Sequence, residues 1–269
     1  MSGTSWYAVL QYAGGGFAGW QHQPQERTVQ AEIEAVLERL DEDHVTTHAA
    51  GRTDAGVHAL GQVISFRLAR TWTPADLTRA LNALLPADIF VPRTGLAPDG
   101  FHARKDARAR CYRYVVGCDA ASASPFRHPY EWALGRPLDA ALLAQSAAAF
   151  AGEHDFRAFS AVGQVKPHYR CDVTHIRWKP RDEGTGYILD IESDRFLHRM
   201  VRFLVGASVD VALGRRPADD IPRLLAGTDN QEASPPAPPH GLYLVTARYD
   251  TLQPEGEGHS CSFSSTPRT

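Results

Sequence analysis

Strand-type and helix-type segments alternate along this chain in one order, and then do so a second time. Trp6 to Tyr12 is rich in aromatic and branched residues and stops at Gly14-Gly15-Gly16, which marks a strand. A helix begins at Thr28, with Ile33, Val36, Leu37 and Leu40 at helical spacing. His44 to Ala49 and Gly61 to Leu68 read as strands on either side of a Gly-Arg-Thr-Asp-Ala-Gly turn. The next helix carries a clear start signal: Thr73 as cap, Pro74 in the first turn and Asp76 three residues after the cap. Leu77, Leu81 and Leu84 form its apolar face, and Ile89 to Thr94 follows as a strand.

The second pass repeats this order. Arg110 to Gly117 has the alternation of a strand, Asp139 caps a helix through Leu142, Leu143, Ala147 and Phe150, and Gly152 closes it. Val173 to Lys179 and Tyr187 to Glu192 form a hairpin across Asp182-Glu183-Gly184. Met200, Phe203, Leu204, Ala207 and Val211 mark a further helix ending at Gly214, a short helix follows Pro217, and Leu242 to Tyr249 is the last strand. The expectation is an α+β protein of two ferredoxin-like β-α-β-β-α-β halves. They share one long mixed, largely antiparallel sheet with helices on one face. The N-terminal half spans residues 1–109, the C-terminal half 110–250, and residues 251–269 form a disordered tail.

The formal net charge of −3 speaks against an anionic partner, but it averages over unlike regions. Residues 51–127 hold eleven basic against six acidic residues, and residues 194–216 hold five against two. Arginine dominates, with only Lys105, Lys166 and Lys179 as lysines. A planar guanidinium suits phosphate, so two basic islands among acidic stretches point to an anionic partner. No apolar run approaches the length needed to cross a bilayer, which excludes a membrane-spanning reading. The four cysteines form no Cys-x-x-Cys pair, and no signal-like stretch opens the chain. The location expected is therefore cytoplasmic, with reduced thiols.

The segment from Ala50 to Ala59 carries the strongest chemical signal. Asp54 lies between Gly51 and Gly56, which permit tight turns and close backbone approach, with Arg52 before it and His58 after it. A carboxylate among arginines stays ionised, as a nucleophile or general base requires. By residues alone, Thr-Asp-Ala-Gly is equally a turn in which Asp bonds its own backbone. Tyr112 and Tyr114 share one face of a strand, and by residues alone that face belongs to a core or to a site. Arg202 by residues alone is a charge on the solvated side of its helix or a site residue, and its neighbours Val201 and Phe203 do not decide which. His58, His102 and His198 have no tight ligand spacing, so no metal is expected. Gly14 to Gly16 lacks the Lys-Ser/Thr of a phosphate-binding loop and reads as a flexible loop that touches the substrate.

The string Gly51-Arg52-Thr53-Asp54-Ala55-Gly56-Val57-His58-Ala59-Leu60-Gly61-Gln62-Val63 resembles the signature of the tRNA pseudouridine synthase A family. So do Gly19-Trp20-Gln21, Phe101-His102-Ala103-Arg104, Tyr112-Arg113-Tyr114, Phe196 to Arg202, and Gly241 to Leu244, in order across residues 5 to 250. One departure is Tyr12-Ala13-Gly14, where the family commonly has an acid between tyrosine and glycine. A second is Ala237-Pro238-Pro239-His240 before Gly241, where the family is usually rich in alanine and lysine.

The resemblance implies an isomerase without a cofactor that converts uridine to pseudouridine at positions 38, 39 and 40 of the tRNA anticodon stem-loop. It further implies a homodimer, and it gives each residue a role. Asp54 is the nucleophile, Arg52 helps to replace the flipped base, and Arg202 pairs with the nucleophile. Tyr112 stacks on the base, Leu242 walls the pocket, and the three histidines support the site or touch RNA. For tRNA phosphates the candidates are Arg104, Lys105, Arg108, Arg110 and Arg113 in the first island, with Arg195, Arg199, Arg215 and Arg216 in the second.

Overall fold

The protein is described from a computed structural model that covers residues 3–161, 168–182, 184–227 and 229–252. The disordered tail expected from residue 251 lies outside the described residues beyond Leu252, and the expected turn at Asp182-Glu183-Gly184 includes one residue outside them. The described chain forms two compact units, residues 3–110 with 243–252, and residues 111–242. It is α+β throughout.

In the first unit the elements are β1 (Thr4–Tyr12), α1 (Val29–Asp41), β2 (His48–Ala49), β3 (His58–Leu68), α2 (Pro74–Leu84) and β4 (Ile89–Leu96), joined by β10 (Leu242–Arg248) from the end of the chain. This is the expected β-α-β-β-α-β order. The strands lie in the order β4-β1-β3-β10, with β2 on β3. β1 runs antiparallel to both β3 and β4, with Ala8 opposite Ile64 on one side and Thr94 on the other. Both helices start where their caps demand. Thr28 accepts from the Ala31 amide, and Thr73 accepts from the Asp76 amide at 3.1 Å. Trp6, Trp20, Leu10, Ile33, Leu37, Ile64 and Leu68 are the largest apolar groups sealed in this unit's core.

Three details depart from the sequence expectation. The strand read at His44 to Ala49 pairs only at His48 and Ala49, because Thr47 spends its amide and hydroxyl on Glu34 of α1 at 2.7 and 2.9 Å instead of on a neighbouring strand. β3 begins three residues early, at His58, where it meets β10 in parallel pairing of Tyr243 with His58. The last strand therefore groups with the first unit, whereas the sequence reading places it in the C-terminal half.

The second unit contains β5 (Ala109–Gly117), β6 (Trp132–Ala133), α3 (Ala140–Phe150), β7 (Gly152–Asp155), β8 (Arg170–Pro180), β9 (Gly186–Ser193), α4 (Met200–Ala212) and α5 (Asp220–Leu225). Its strand order is β5-β9-β8-β7, with β6 parallel to β5. Asp139 caps α3 by accepting from the Ala141 and Leu142 amides at 2.8 and 3.0 Å. Gly152, at φ 94°, ends the approach from α3 and starts β7, a strand the sequence does not announce. Cys118 and Cys171 are buried free thiols, in keeping with the reading of reduced cysteines at those two positions.

Arg113 corrects another expectation. Assigned by sequence to tRNA phosphates, it is 1% exposed in β5 and pairs with Asp190 of β9 through Nε at 2.7 Å and a second nitrogen at 3.3 Å. Lys179 reaches the same carboxylate at 3.0 Å. A strand alternates its faces, and the basic island carries no sign of which face each arginine takes. Truncating one partner of a buried, hydrogen-bonded pair leaves the other charge poorly compensated. Arg113→Ala is expected to lower unfolding free energy by about 3–5 kcal/mol, read from urea denaturation. A loss below about 1 kcal/mol would show that Lys179 alone satisfies Asp190.

Candidate active site

The Asp54 loop is built by backbone contacts from the N-terminal segment. The Thr53 carbonyl accepts the Trp20 amide at 3.0 Å, and its hydroxyl bonds Tyr12 Oη at 2.8 Å. The Val57 amide donates to the Asp54 carbonyl at 3.1 Å, so residues 54–57 form a closed turn with Gly56 at φ 79°. Asp54 is thus held in a turn by its backbone and is partly exposed there. Burial pushes the Tyr12 hydroxyl up to about 12, so it stays protonated and bonded.

Two glycines make this approach possible. A Cβ on Gly14 would overlap the Val57 carbonyl, and one on Gly19, at φ 102°, would stand 2.8 Å from the Thr53 oxygen. Gly14 also donates its amide to His58 Nδ1 at 3.0 Å, and the buried His58 ring stacks on Tyr243 at 4.8 Å. The Gly14–Gly16 segment, which composition suggests is a flexible loop, is a short 3-10 turn in which Gly14 packs on the Asp54 loop while Gly15 and Gly16 are exposed. At the loop's other end, Gln62 donates to the Gly51 carbonyl at 2.6 Å.

Arg110 grips the residue before it. Its guanidinium donates to the Ala50 carbonyl at 3.1 and 3.0 Å, to Ala107 at 3.0 Å and to Arg104 at 2.6 Å. A guanidinium has five N–H donors. This one is half-buried and uses several on main-chain oxygens, so it positions the loop; it does not present a fork to phosphate. Sequence reasoning missed this role, since only the fold brings residue 110 to residue 50.

Arg52, Arg104 and Lys105 are exposed and line one groove in this unit. Arg108 is exposed and pairs with Asp250 at 2.6 Å.

In the second unit Tyr112 is buried, its ring edge-on to Phe196 at 5.0 Å. Arg202 is half-buried, not on a solvated helix face. Its Nε donates to the Ala237 carbonyl at 2.7 Å, and its own carbonyl accepts the Ala237 amide at 2.9 Å. Tyr114 donates to the Pro238 carbonyl at 2.8 Å, and burial holds that hydroxyl well above its ordinary pKa. The Ala-Pro-Pro-His departure from the family pattern is therefore a rigid strap tied to α4 and β5. It delivers the buried Leu242 to the start of β10.

Arg199 takes a left-handed conformation, φ 60°, just before α4. This turn buries Leu197 and Met200 while exposing His198 and Arg199. Such strain in a non-glycine residue persists only where the surroundings enforce it. Arg195 lies 3.1 Å from the His168 ring, Arg215 pairs with Asp210 at 3.2 Å, and Arg216 pairs with Asp220. Among the described residues, no group of three or more His, Cys, Asp or Glu side chains is placed to hold a metal.

A family model described as tRNA pseudouridine synthase matches residues 8–104 and 146–250. The chain belongs to that family. It is 37% identical over 247 residues to the tRNA pseudouridine synthase A of Dictyoglomus thermophilum, covering 91% of this chain and 99% of that one. The enzyme of Moorella thermoacetica is 40% identical over 244 residues, covering 90% and 98%. That of Limosilactobacillus fermentum is 40% identical over 251 residues, covering 90% and 95%. A chain from a crystal structure of a Cbf5-Nop10-Gar1 complex aligns at a TM-score of 0.35 and 14% identity, over 76% of this chain and 54% of its own length, a slight likeness.

Main-chain contacts from the N-terminal segment fix the stretch that contains Asp54. Gly14→Ala is expected to push the loop away from β1 and cost about 1–3 kcal/mol, with loss of activity exceeding loss of fold. Circular dichroism melting beside a turnover assay checks this. Unchanged activity would mean that the loop does not depend on this approach.

Proposed function

We propose that this enzyme isomerises uridine to pseudouridine at positions 38, 39 and 40 of the tRNA anticodon stem-loop, with Asp54 as nucleophile. The single observation that supports the role of Asp54 is its place in a loop whose main chain is fixed on both sides while its carboxylate is left partly exposed. The reaction breaks the N1–C1′ bond and forms C5–C1′. N1 gains a proton and C5 loses one, so atoms and electrons balance without a co-reactant. That balance agrees with the absence of any cofactor requirement in this reading.

Positions in a stacked stem must be extruded before attack, at a cost of a few kcal/mol. Arg52, exposed two residues before Asp54, takes the place of the departing base. Tyr112 stacks on the flipped uracil, Leu242 supplies an apolar wall, and Arg202 pairs with the nucleophile. Arg104, Lys105, Arg108, Arg195, Arg199, Arg215 and Arg216 hold phosphates. The enzyme works as a homodimer in the cytoplasm on this reading. No helix among the described residues is long and apolar enough to cross a membrane.

Unmodified tRNA incubated with the wild-type protein should gain pseudouridine at positions 38–40, located by carbodiimide modification and primer extension. Asp54→Asn, which keeps shape and removes charge, should lower the rate by at least about a thousandfold. Equal rates for the two proteins would refute the nucleophile, and product at other positions would refute the site assignment. Affinity should fall steeply with salt as phosphate contacts release counterions. A solution mass of one chain under working conditions would refute the dimer.

A further inference from the structure

A groove of about 490 Å³ opens within the first unit. Arg52 enters it from the Asp54 loop, His48 from β2, and His102, Arg104 and Lys105 from the turn after β4. That turn is fixed from below: Ala103 donates its amide to Ser65 Oγ at 3.0 Å and accepts from Tyr249 Oη at 2.7 Å. The His48 and His102 rings stack at 4.4 Å and 12°. The Arg104 amide donates to His102 Nδ1 at 3.2 Å, which leaves the proton on Nε2 in the neutral ring.

Among the described residues, no carboxylate lines the groove. Asp106, on the same turn, accepts the His102 backbone amide at 2.8 Å. Glu34 of α1 lies behind the wall and is occupied by Thr47 and Gln30. The groups that meet the His48–His102 pair are thus Arg104, Lys105 and Asp106 on the turn, with Arg52 among the groove's lining from the loop. Burial, then His48 and Lys105, push His102 below its ordinary pKa, so that ring resists charging in the free protein.

We propose that this groove seats a phosphodiester of the bound RNA strand, next to the nucleotide at Asp54, and that the stacked histidine pair takes up a proton as it does so. The inference rests on the RNA reading above and deepens it. The two non-bridging oxygens of a phosphodiester accept charge-assisted bonds from Arg52, Arg104 and Lys105, and the anion removes the penalty on a histidinium beside them. The bound state then holds more protons than the free state. Affinity therefore rises as pH falls through the ordinary histidine range, and levels off once the free protein is itself protonated.

The test uses the full chain carrying Asp54→Asn, so that no turnover disturbs binding, and an anticodon stem-loop transcript as the probe. The transcript should bind about five- to tenfold more tightly at about pH 6 than at about pH 8. Adding His102→Gln or, separately, the exposed His48→Ala should bring that ratio close to one, with melting temperature monitored to confirm folding. Arg104→Gln with Lys105→Gln should weaken binding at both pH values and reduce the salt slope by about two. The same pH ratio in both histidine variants, or an unchanged salt slope in the double variant, overturns the proposal. Wild-type conversion of the transcript with a pH-independent affinity overturns this inference alone. A transcript that is neither bound nor converted overturns the RNA reading with it.

Discussion

The site in the first unit depends on the hydrogen bond from the Trp20 amide to the Thr53 carbonyl and on the two glycines that let the segments meet. Residues 12–20 and 50–58 are two pieces of loop laid against each other, main chain to main chain, at a distance only glycine allows at positions 14 and 19. Two irregular segments gain order from this pairing that neither has alone. Its consequence is chemical. The backbone and Thr53 supply bonds that fix the turn and leave Asp54 partly exposed within it, as the proposed nucleophile requires of a group that must meet its substrate. His58 and Gln62 extend the same logic by holding Gly14 and Gly51, the two edges of the arrangement.

Arginines close in sequence are put to opposite uses. Arg113 neutralises Asp190 inside the second unit, Arg110 ties three carbonyls around the base of the loop, and Arg104 projects from the turn that Arg110 holds. A guanidinium is equally suited to each task, because its planar donors fit carboxylate, carbonyl and phosphate. Burial decides among them. An arginine that spends its donors inside the protein contributes order, and its exposed neighbour contributes the field that an anionic partner meets.

Much of the architecture was legible in the sequence because periodicity and caps are local properties. Both Thr28 and Thr73 cap the helices they announce, and the β-α-β-β-α-β order of the first unit follows from spacing alone. What could not be read depends on contacts distant along the chain. β2 shrinks because Glu34 captures Thr47, and β10 joins β3 across almost two hundred residues of chain. The candidate site divides in the same way. Asp54, Arg52 and Tyr112 stand out through a resemblance carried by short motifs, whereas the positioning role of Arg110 and the burial of Arg113 exist only once β5 is in place. Composition misread Gly14–Gly16 as flexible for a related reason: glycine permits close approach as readily as it permits motion, and only the partner segment tells which.

The opposition between a net charge of −3 and an RNA substrate resolves at this level. Many of the acidic residues are already committed to cations within the protein: Asp88 and Glu32 to Arg27, Asp119 and Glu131 to Arg127, and Asp220 to Arg216 and Arg223. Such pairs cancel at short range, and screening at physiological salt erases most of what remains beyond about 8 Å. A phosphate arriving at the groove therefore responds to Arg52, Arg104 and Lys105 in its immediate surroundings, not to the sum over the chain. Concentrating like charges around one concavity raises the free energy of the empty protein, and His102, held below its ordinary pKa, limits that rise. On the proposal that a proton is taken up with the anion, the groove is more strongly basic in the complex than in its absence.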